Sequence, residues 1–284
     1  GKHCFSPYQC DYLGYCWKGE KDAEIFTLAG LGKEGQVDLF EKGIEKFSDI
    51  SSVEKLSKSQ KIQIKGEPVL KKDNVQKFLK QLEFPIWFLD FETVQNAVPK
   101  YEGVKPYQQI PFQFSLHRLE ENGTLSHSEF LAELGIDPRE SFTKSLFDMV
   151  GKKGSVVVYN ATFEKMIIKQ LRDWFPDKKE EAQHLIKRVI DLMTPFQKKD
   201  YYLPEMQGSH SIKAVLPALC KELSYENLAI NNGQIAAMTY NELQTSSDMF
   251  RIEEVKQNLL EYCKLDTLAM VKIYEKLIEI TQNR

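Results

Sequence analysis

Apolar residues change their spacing several times along this chain, and each change marks a new element. Val75, Phe78, Leu79 and Leu82 recur at steps of three and four, which predicts a helix. Asp73 or Asn74 is placed to cap that helix, and Pro85 ends it. Ile86-Trp87-Phe88-Leu89 is a continuous apolar run, the pattern of a strand buried on both faces. Residues 112–117 and 125–131 alternate instead, predicting two more strands with a turn at Glu121-Asn122-Gly123 between them. Asp137-Pro138 opens a helix carrying Phe142, Leu146, Met149 and Val150, closed by Gly151 and Gly154. Residues 156–159 read as a fourth strand that passes directly into a helix over 163–171, and residues 189–192 as a short fifth. Further helices are predicted over 211–219, 235–243 and 252–280. Strands first, then strand–helix alternation, then helices, predict an α/β fold: a mixed β-sheet of about five strands flanked by helices.

The first seventy residues lack this regularity. Residues 1–30 interleave Cys4, Cys10 and Cys16 with Tyr8, Tyr12, Tyr15 and Trp17. Residues 31–70 are rich in Lys, Ser and Gly and read as short helices and a connector. The expected organisation is therefore a cysteine-rich segment over 1–30, a connector over 31–70 and one α/β domain over 71–284.

Composition narrows the class. With 42% hydrophobic residues among 284, the chain has ample material for a core without disulfide staples. It has no uninterrupted apolar run approaching about 18 residues, which argues against a spanning helix and a membrane partner. No basic stretch followed by an apolar one opens the chain, and an odd number of cysteines, 5, fits a reducing compartment; the expected location is cytoplasmic. The formal charge of −3 argues against holding nucleic acid by bulk positive charge. That total hides a division. Residues 81–150 carry −6 and residues 222–284 carry −4, whereas residues 151–221 carry +5.

Acids stand where the pattern calls for apolar residues. Asp90 and Glu92 close the first long strand and, by alternation, project from the same face. On the last helix Val255, Leu259, Tyr262, Asp266, Ala269, Ile273 and Leu277 form one seam, so Asp266 lies on the buried face with Tyr262 one turn before it. Glu164 follows the strand–helix junction at Tyr159-Asn160, where Asn160 is suited to cap the helix and an acid in the first turn complements its dipole. A buried carboxylate needs a cation, a shifted pKa or a metal. Carboxylates clustered without His or Cys suit hard, oxygen-preferring ions such as Mg²⁺ or Mn²⁺.

These segments resemble the three motifs of the DEDD exonucleases, which share the ribonuclease-H-like fold. Asp90-Phe91-Glu92-Thr93 resembles the first, Tyr159 to Glu164 the second, and Tyr262-Cys263-Lys264-Leu265-Asp266-Thr267 the third, with the Tyr-x-x-x-Asp spacing of the tyrosine subclass. The likeness runs from about residue 84 to 282. It implies a metal-dependent 3′–5′ exonuclease that hydrolyses phosphodiester bonds of DNA or RNA with two Mg²⁺ or Mn²⁺ ions. Asp90, Glu92 and Asp266 would ligate metal, and Tyr262 would orient the attacking water. Glu164 stands where the family has Asp, a departure that bears on the second metal and leaves a non-catalytic nucleic-acid-binding module as the alternative. Asn160 and Lys213 are implied on the substrate side, and Asp191 in a structural or substrate-facing role.

More narrowly, Pro111 to His117 and Tyr262 to Thr267 resemble a bacterial family in which such a domain follows a RecB-like nuclease domain. Cys4, Cys10 and Cys16 would then be the tail of that upstream domain, whose relatives hold an iron–sulfur cluster with four cysteines. Gly1 reads as a residue left by cloning, and the chain as a fragment of a longer protein. Alternatively, His3 and the three cysteines could hold Zn²⁺. The remaining histidines, His117, His127, His184 and His210, are expected to be structural.

Overall fold

The computed structural model describes residues 1–6, 8–18, 23–51, 55–225 and 228–282. Its regular elements begin with α1 (Leu13–Cys16), α2 (Lys33–Glu41), α3 (Lys58–Lys65), β1 (Val69–Leu70) and α4 (Lys72–Leu79). The three strands β2 (Ile86–Val94), β3 (Ile110–Leu119) and β4 (Leu125–Leu131) follow. Next come α5 (Pro138–Met149), β5 (Val156–Val158), α6 (Ala161–Trp174), α7 (Lys179–Arg188) and β6 (Val189–Asp191). The chain continues through α8 (Thr194–Gln197), β7 (Tyr201–Tyr202), α9 (Ile212–Leu219), α10 (Gly233–Leu243) and the long α11 (Met249–Gln282). Two compact units result, one of Gly1–Val75 with Thr194–Ala218 and one of Gln76–Met193 with Leu219–Arg284.

The second unit is an α/β fold on a five-stranded mixed sheet, in the order β4-β3-β2-β5-β6. β2 and β3 pair antiparallel, as do β3 and β4, whereas β2, β5 and β6 run parallel. This arrangement is compatible with the ribonuclease-H-like sheet expected from the motifs. β2 stands in the middle of that order, and Ile86, Trp87, Phe88 and Leu89 are all buried, so both of its faces are covered.

Alternation divides those faces. Trp87, Leu89 and Phe91 join Phe114 and Leu116 of β3 and Val156 and Val158 of β5 in a core that α5, α6 and α7 cover with Phe142, Leu146, Ile168, Leu171 and Leu185. Phe142 sits edge-on to three rings, with centroids 5.5 Å from Phe91, 5.4 Å from Phe114 and 5.8 Å from Phe130. On the opposite face Phe88 meets Tyr274 of α11 at 5.8 Å, and the Gln113 amide donates to the Leu259 carbonyl at 2.7 Å. From Leu259 on, the α11 seam is buried as its spacing predicts, with Leu259, Tyr262, Asp266, Ala269, Ile273 and Leu277 facing inward, while Val255 at its start is only half-buried.

Several local expectations change. α4 starts at Lys72, so Asp73 lies in its first turn, and the Asn74 amide donates to Asp200 at 2.9 Å instead of capping the helix. α7, charged on most of its surface, forms between Leu171 and Val189 without having been predicted; its buried side is only Ala182 and Leu185. Gly154 has φ +79, and a Cβ there would stand 1.9 Å from the Pro85 carbonyl oxygen, so only glycine fits the turn into β5.

In the first unit Cys4, Trp17 and Val37 form a small core to which Phe26 and Phe40 add their rings. Ser57 and Gln60 exchange side-chain and backbone hydrogen bonds as a capping box for α3. β1 pairs antiparallel with β7, and Lys71 holds Asp200 at 2.8 Å, which ties residues 194–218 to the N-terminal segment. Among the described residues no helix is long and apolar enough to cross a membrane.

The ring cluster on the α5 side carries much of the second unit's core. Phe142→Ala is expected to lower the unfolding free energy by about 3–5 kcal/mol, read by urea denaturation followed by circular dichroism. A loss under about 1 kcal/mol would show that the cluster is not part of the cooperative core.

Candidate metal centre

The α11 face of the sheet brings three acids together. Even-numbered residues of β2 up to Glu92 point to this face, so Asp90 and Glu92 share it, and Asp266 is supplied from α11. One ligating oxygen from each of Asp90, Glu92 and Asp266 lies within 4.8 Å of the others, with Glu92 and Asp266 buried and Asp90 half-buried. Among the described residues this is the one such group of three or more His, Cys, Asp or Glu side chains.

The surroundings hold this group from several sides. Between Glu92 and Thr93 the register of β2 against β3 slips by one residue, a bulge of the kind that re-aims side chains beside functional sites. Phe112, the residue passed over in the slip, stacks on Tyr240 of α10 at 3.9 Å and 10°. The first residue of α10 then lies against the acids, since a Cβ on Gly233 would be 3.3 Å from Glu92 Oε2. Tyr225 donates its hydroxyl to Asp266 Oδ1 at 2.7 Å, and the Cys263 thiol donates to Asp90 Oδ2 at 3.7 Å.

Electrostatics follow from crowding like charges out of water. Asp90 is pushed well above the usual carboxylate range by burial first, then by the charges of Asp266, Glu92 and Glu164, against a smaller lowering by the Cys263 thiol. Burial also raises the Tyr262 phenol, and the charges of Asp266, Glu92 and Asp90 raise it further. A hard divalent cation suits this set on its chemistry: every donor is a carboxylate oxygen, and a cation would relieve the repulsion among the three acids.

Other residues singled out in the sequence fall differently. Glu164 is only 3% exposed, its Oε2 has no hydrogen-bond partner, and it stands outside the ligating group, although its charge reaches Asp90. Burial pushes its carboxyl up to about 8. Asn160 does not cap α6. It sits exposed in a left-handed conformation, φ 77, and its side chain makes no capping bond. Asp191 takes over that role from β6, accepting from the backbone N–H groups of Asn160, Ala161 and Met193 at 3.1, 3.0 and 3.0 Å. Asn can occupy the left-handed region at little cost, and the acid across the strand then serves the helix dipole.

Lys213 belongs to the first unit, on α9, where it lines a cavity of about 520 Å³ with Glu205, Ser209 and Pro217. Cys4, Cys10 and Cys16 do not converge as a ligand set: Cys4 is buried in the small core against Trp17, Cys10 is half-buried and Cys16 is exposed. His117 and His127 are joined through hydroxyls: His117 Nδ1 lies 2.8 Å from Thr267 Oγ1, that oxygen 2.7 Å from Ser115 Oγ, and Ser115 Oγ 2.9 Å from His127 Nε2. Burial, with the charges of His127 and Lys264, lowers His117 to about 4 and keeps it neutral.

Tyr225, Gly233 and Cys263 were the members of this site that sequence reasoning missed. Tyr225 lies in an aperiodic stretch between α9 and α10 and carries no pattern of its own. Cys263 reads as a small buried apolar residue, which it also is. An available clue was its place beside Tyr262 on the seam.

Residues 87–211 match a family described as a domain of unknown function, DUF2779. Uncharacterized protein UU173 of Ureaplasma parvum is 27% identical over 210 residues, an alignment covering 66% of this chain and 30% of that protein. Uncharacterized protein MG366 homolog of Mycoplasma pneumoniae is 25% identical over 206 residues, covering 66% of this chain and 31% of its own length. The chain thus spans about three-tenths of the relatives it matches. No solved structure matches it.

Glu164 supplies a test of the electrostatic picture. Its folded pKa of about 8 lies above the ordinary 4.5, so between those values the folded chain holds a proton that the unfolded chain releases, and stability falls as pH rises. Glu164→Gln removes that dependence. Relative to wild type, the variant is expected to gain roughly 1–2 kcal/mol between pH 6 and pH 8, measured by urea denaturation at both values. Parallel pH profiles for the two proteins would contradict a protonated Glu164.

Proposed function

We propose that the second unit is a metal-dependent 3′–5′ exonuclease domain of the DEDD type, tyrosine subclass, acting on single-stranded ends of DNA or RNA in the cytoplasm. The convergence of Asp90, Glu92 and Asp266 from two separate elements carries this reading. The same three residues stand in the first and third motifs that the resemblance identified, and Tyr262 lies beside them on α11. The RecB-like nuclease domain that the resemblance implies would be its neighbour in the same chain.

In this reading the three carboxylates hold divalent metal, Mg²⁺ or Mn²⁺. Such ions, when bound, stabilise the attacking and leaving oxygens of a phosphodiester. The chain's own residues do the rest. Asp90 and Glu92 are held in register by the β2–β3 ladder up to the bulge. Tyr262 presents its hydroxyl to the attacking water and orients it. Asn160, exposed at the carboxyl end of β5, contacts the substrate strand.

A second reading is favoured by one observation. Glu164 is buried, raised to about 8 and outside the ligating group, so the acid expected to serve a second metal is not presented to it. A non-catalytic nucleic-acid-binding module would tolerate that departure.

Digestion of 5′-labelled single-stranded DNA and RNA with Mn²⁺ separates the two. Wild-type chain is expected to give a ladder of progressively shorter labelled products. Asp90→Asn should reduce the rate by more than about 100-fold, and Tyr262→Phe by about 100-fold with the metal requirement unchanged. Retention of full activity by Asp90→Asn would refute the site. Strand binding by wild type without any cleavage would favour the module.

A further inference from the structure

We propose that Tyr225 is the positioning residue of the acidic site: its hydroxyl holds Asp266 in the orientation in which that carboxylate ligates metal. The inference rests on the metal-centre reading above and deepens it, by separating the work of two tyrosines that meet at one carboxylate.

Asp90 and Glu92 start from one strand face, and Asp90 also accepts from the Cys263 thiol at 3.7 Å. Both lie on β2, and strand alternation and the ladder to β3 fix where they project. Asp266 is different. It is the one member supplied by a helix, and a carboxylate on a single Cβ can turn about two side-chain bonds. A hydrogen bond to one of its oxygens removes that freedom. Tyr225 makes this bond at 2.7 Å, to Oδ1, with both residues 7% exposed. At that burial the contact is dry, and a bond to an ionised acceptor there is of the strong, charge-assisted kind.

Tyr225 itself is held in place. Its ring stands edge-on to Tyr262, with centroids 6.3 Å apart and an interplanar angle of 62°. The two phenols therefore approach the acids from different elements. Tyr262 rises from α11 itself, one turn ahead of Asp266, and Tyr225 comes from the stretch that leads into α10. The same stretch ends at Gly233 against Glu92, so one passage of chain touches two of the three acids. This geometry suits a division of labour. Tyr262 faces the reacting water in the proposed mechanism, while Tyr225 acts only through Asp266.

Hydrogen-bond partners of metal ligands are worth about 10–100-fold in metal affinity. Titration of the full 284-residue chain with MnCl₂, read by calorimetry and by the paramagnetic signal of free Mn²⁺, measures that contribution directly. Tyr225→Phe removes one oxygen and is expected to weaken Mn²⁺ binding about 10–100-fold, with the melting temperature in EDTA close to wild type. Made in an Asp266→Asn background, the same substitution should have no further effect. Wild-type affinity in Tyr225→Phe, or a full additional loss in the Asp266→Asn background, would overturn the proposal. A wild-type chain that takes up no Mn²⁺ at millimolar concentration would overturn the metal-centre reading itself, and this inference with it. A crystal of the wild-type chain soaked in MnCl₂ needs no variant: the hydroxyl should remain on Asp266 beside the ion, and a phenol displaced from it would refute the role.

Discussion

Three carboxylates share one space between the sheet and its longest helix, and the cost of keeping them there governs what the rest of the second unit must supply. Withdrawing like charges from water raises their proton affinity until one of them gives up its charge or a cation arrives. Asp90 shows this most directly, because burial and all three neighbouring acids act on it in the same direction. Such an arrangement works against folding stability. It persists because the surrounding core, built on both faces of β2, is large enough to impose it.

The scaffold meets that demand with contacts from distant parts of the chain. The bulge after Glu92 ends the regular ladder at the acids, and the stack of Phe112 on Tyr240 anchors α10 beside them. Tyr225 and Cys263 offer the acids hydrogen-bond donors in place of the water they have lost. Behind α11, Thr267 is locked between Ser115 and His117, so the helix turn that carries Asp266 is tied to β3 from below as well. At the neighbouring junction Asp191 binds two N–H groups at the start of α6. The chemistry of the site is thus concentrated in a few side chains, and its precision is distributed over many.

Much of this was legible in the linear pattern, for reasons that differ by residue. The strand ending in Asp90 and Glu92 announced itself because four consecutive apolar residues have to be buried and alternation then places both acids on one face. Asp266 was legible because a helical seam leaves a charged residue nowhere else to go. Asn160 misled for an equally local reason. Its side chain has capping chemistry, but its backbone turns left-handed, and the cap comes from Asp191, 31 residues further on. α7 escaped notice because only two of its residues are buried, too few to establish a period.

The sequence by itself determined the class of the fold, the two-sided burial of β2, the inward seam of α11 and the shared face of Asp90 and Glu92. All of these follow from short-range periodicity, which acts on neighbouring residues and is written in them. Tertiary structure alone decided which acids meet. It set Glu164 apart from the ligating group, grouped residues 194–218 with the first unit and left the three cysteines unjoined. It also brought Tyr225 onto Asp266 across 41 residues. Such pairings depend on how whole elements pack, and no local spacing encodes the distance between side chains that come together only when the sheet and its helices close on each other.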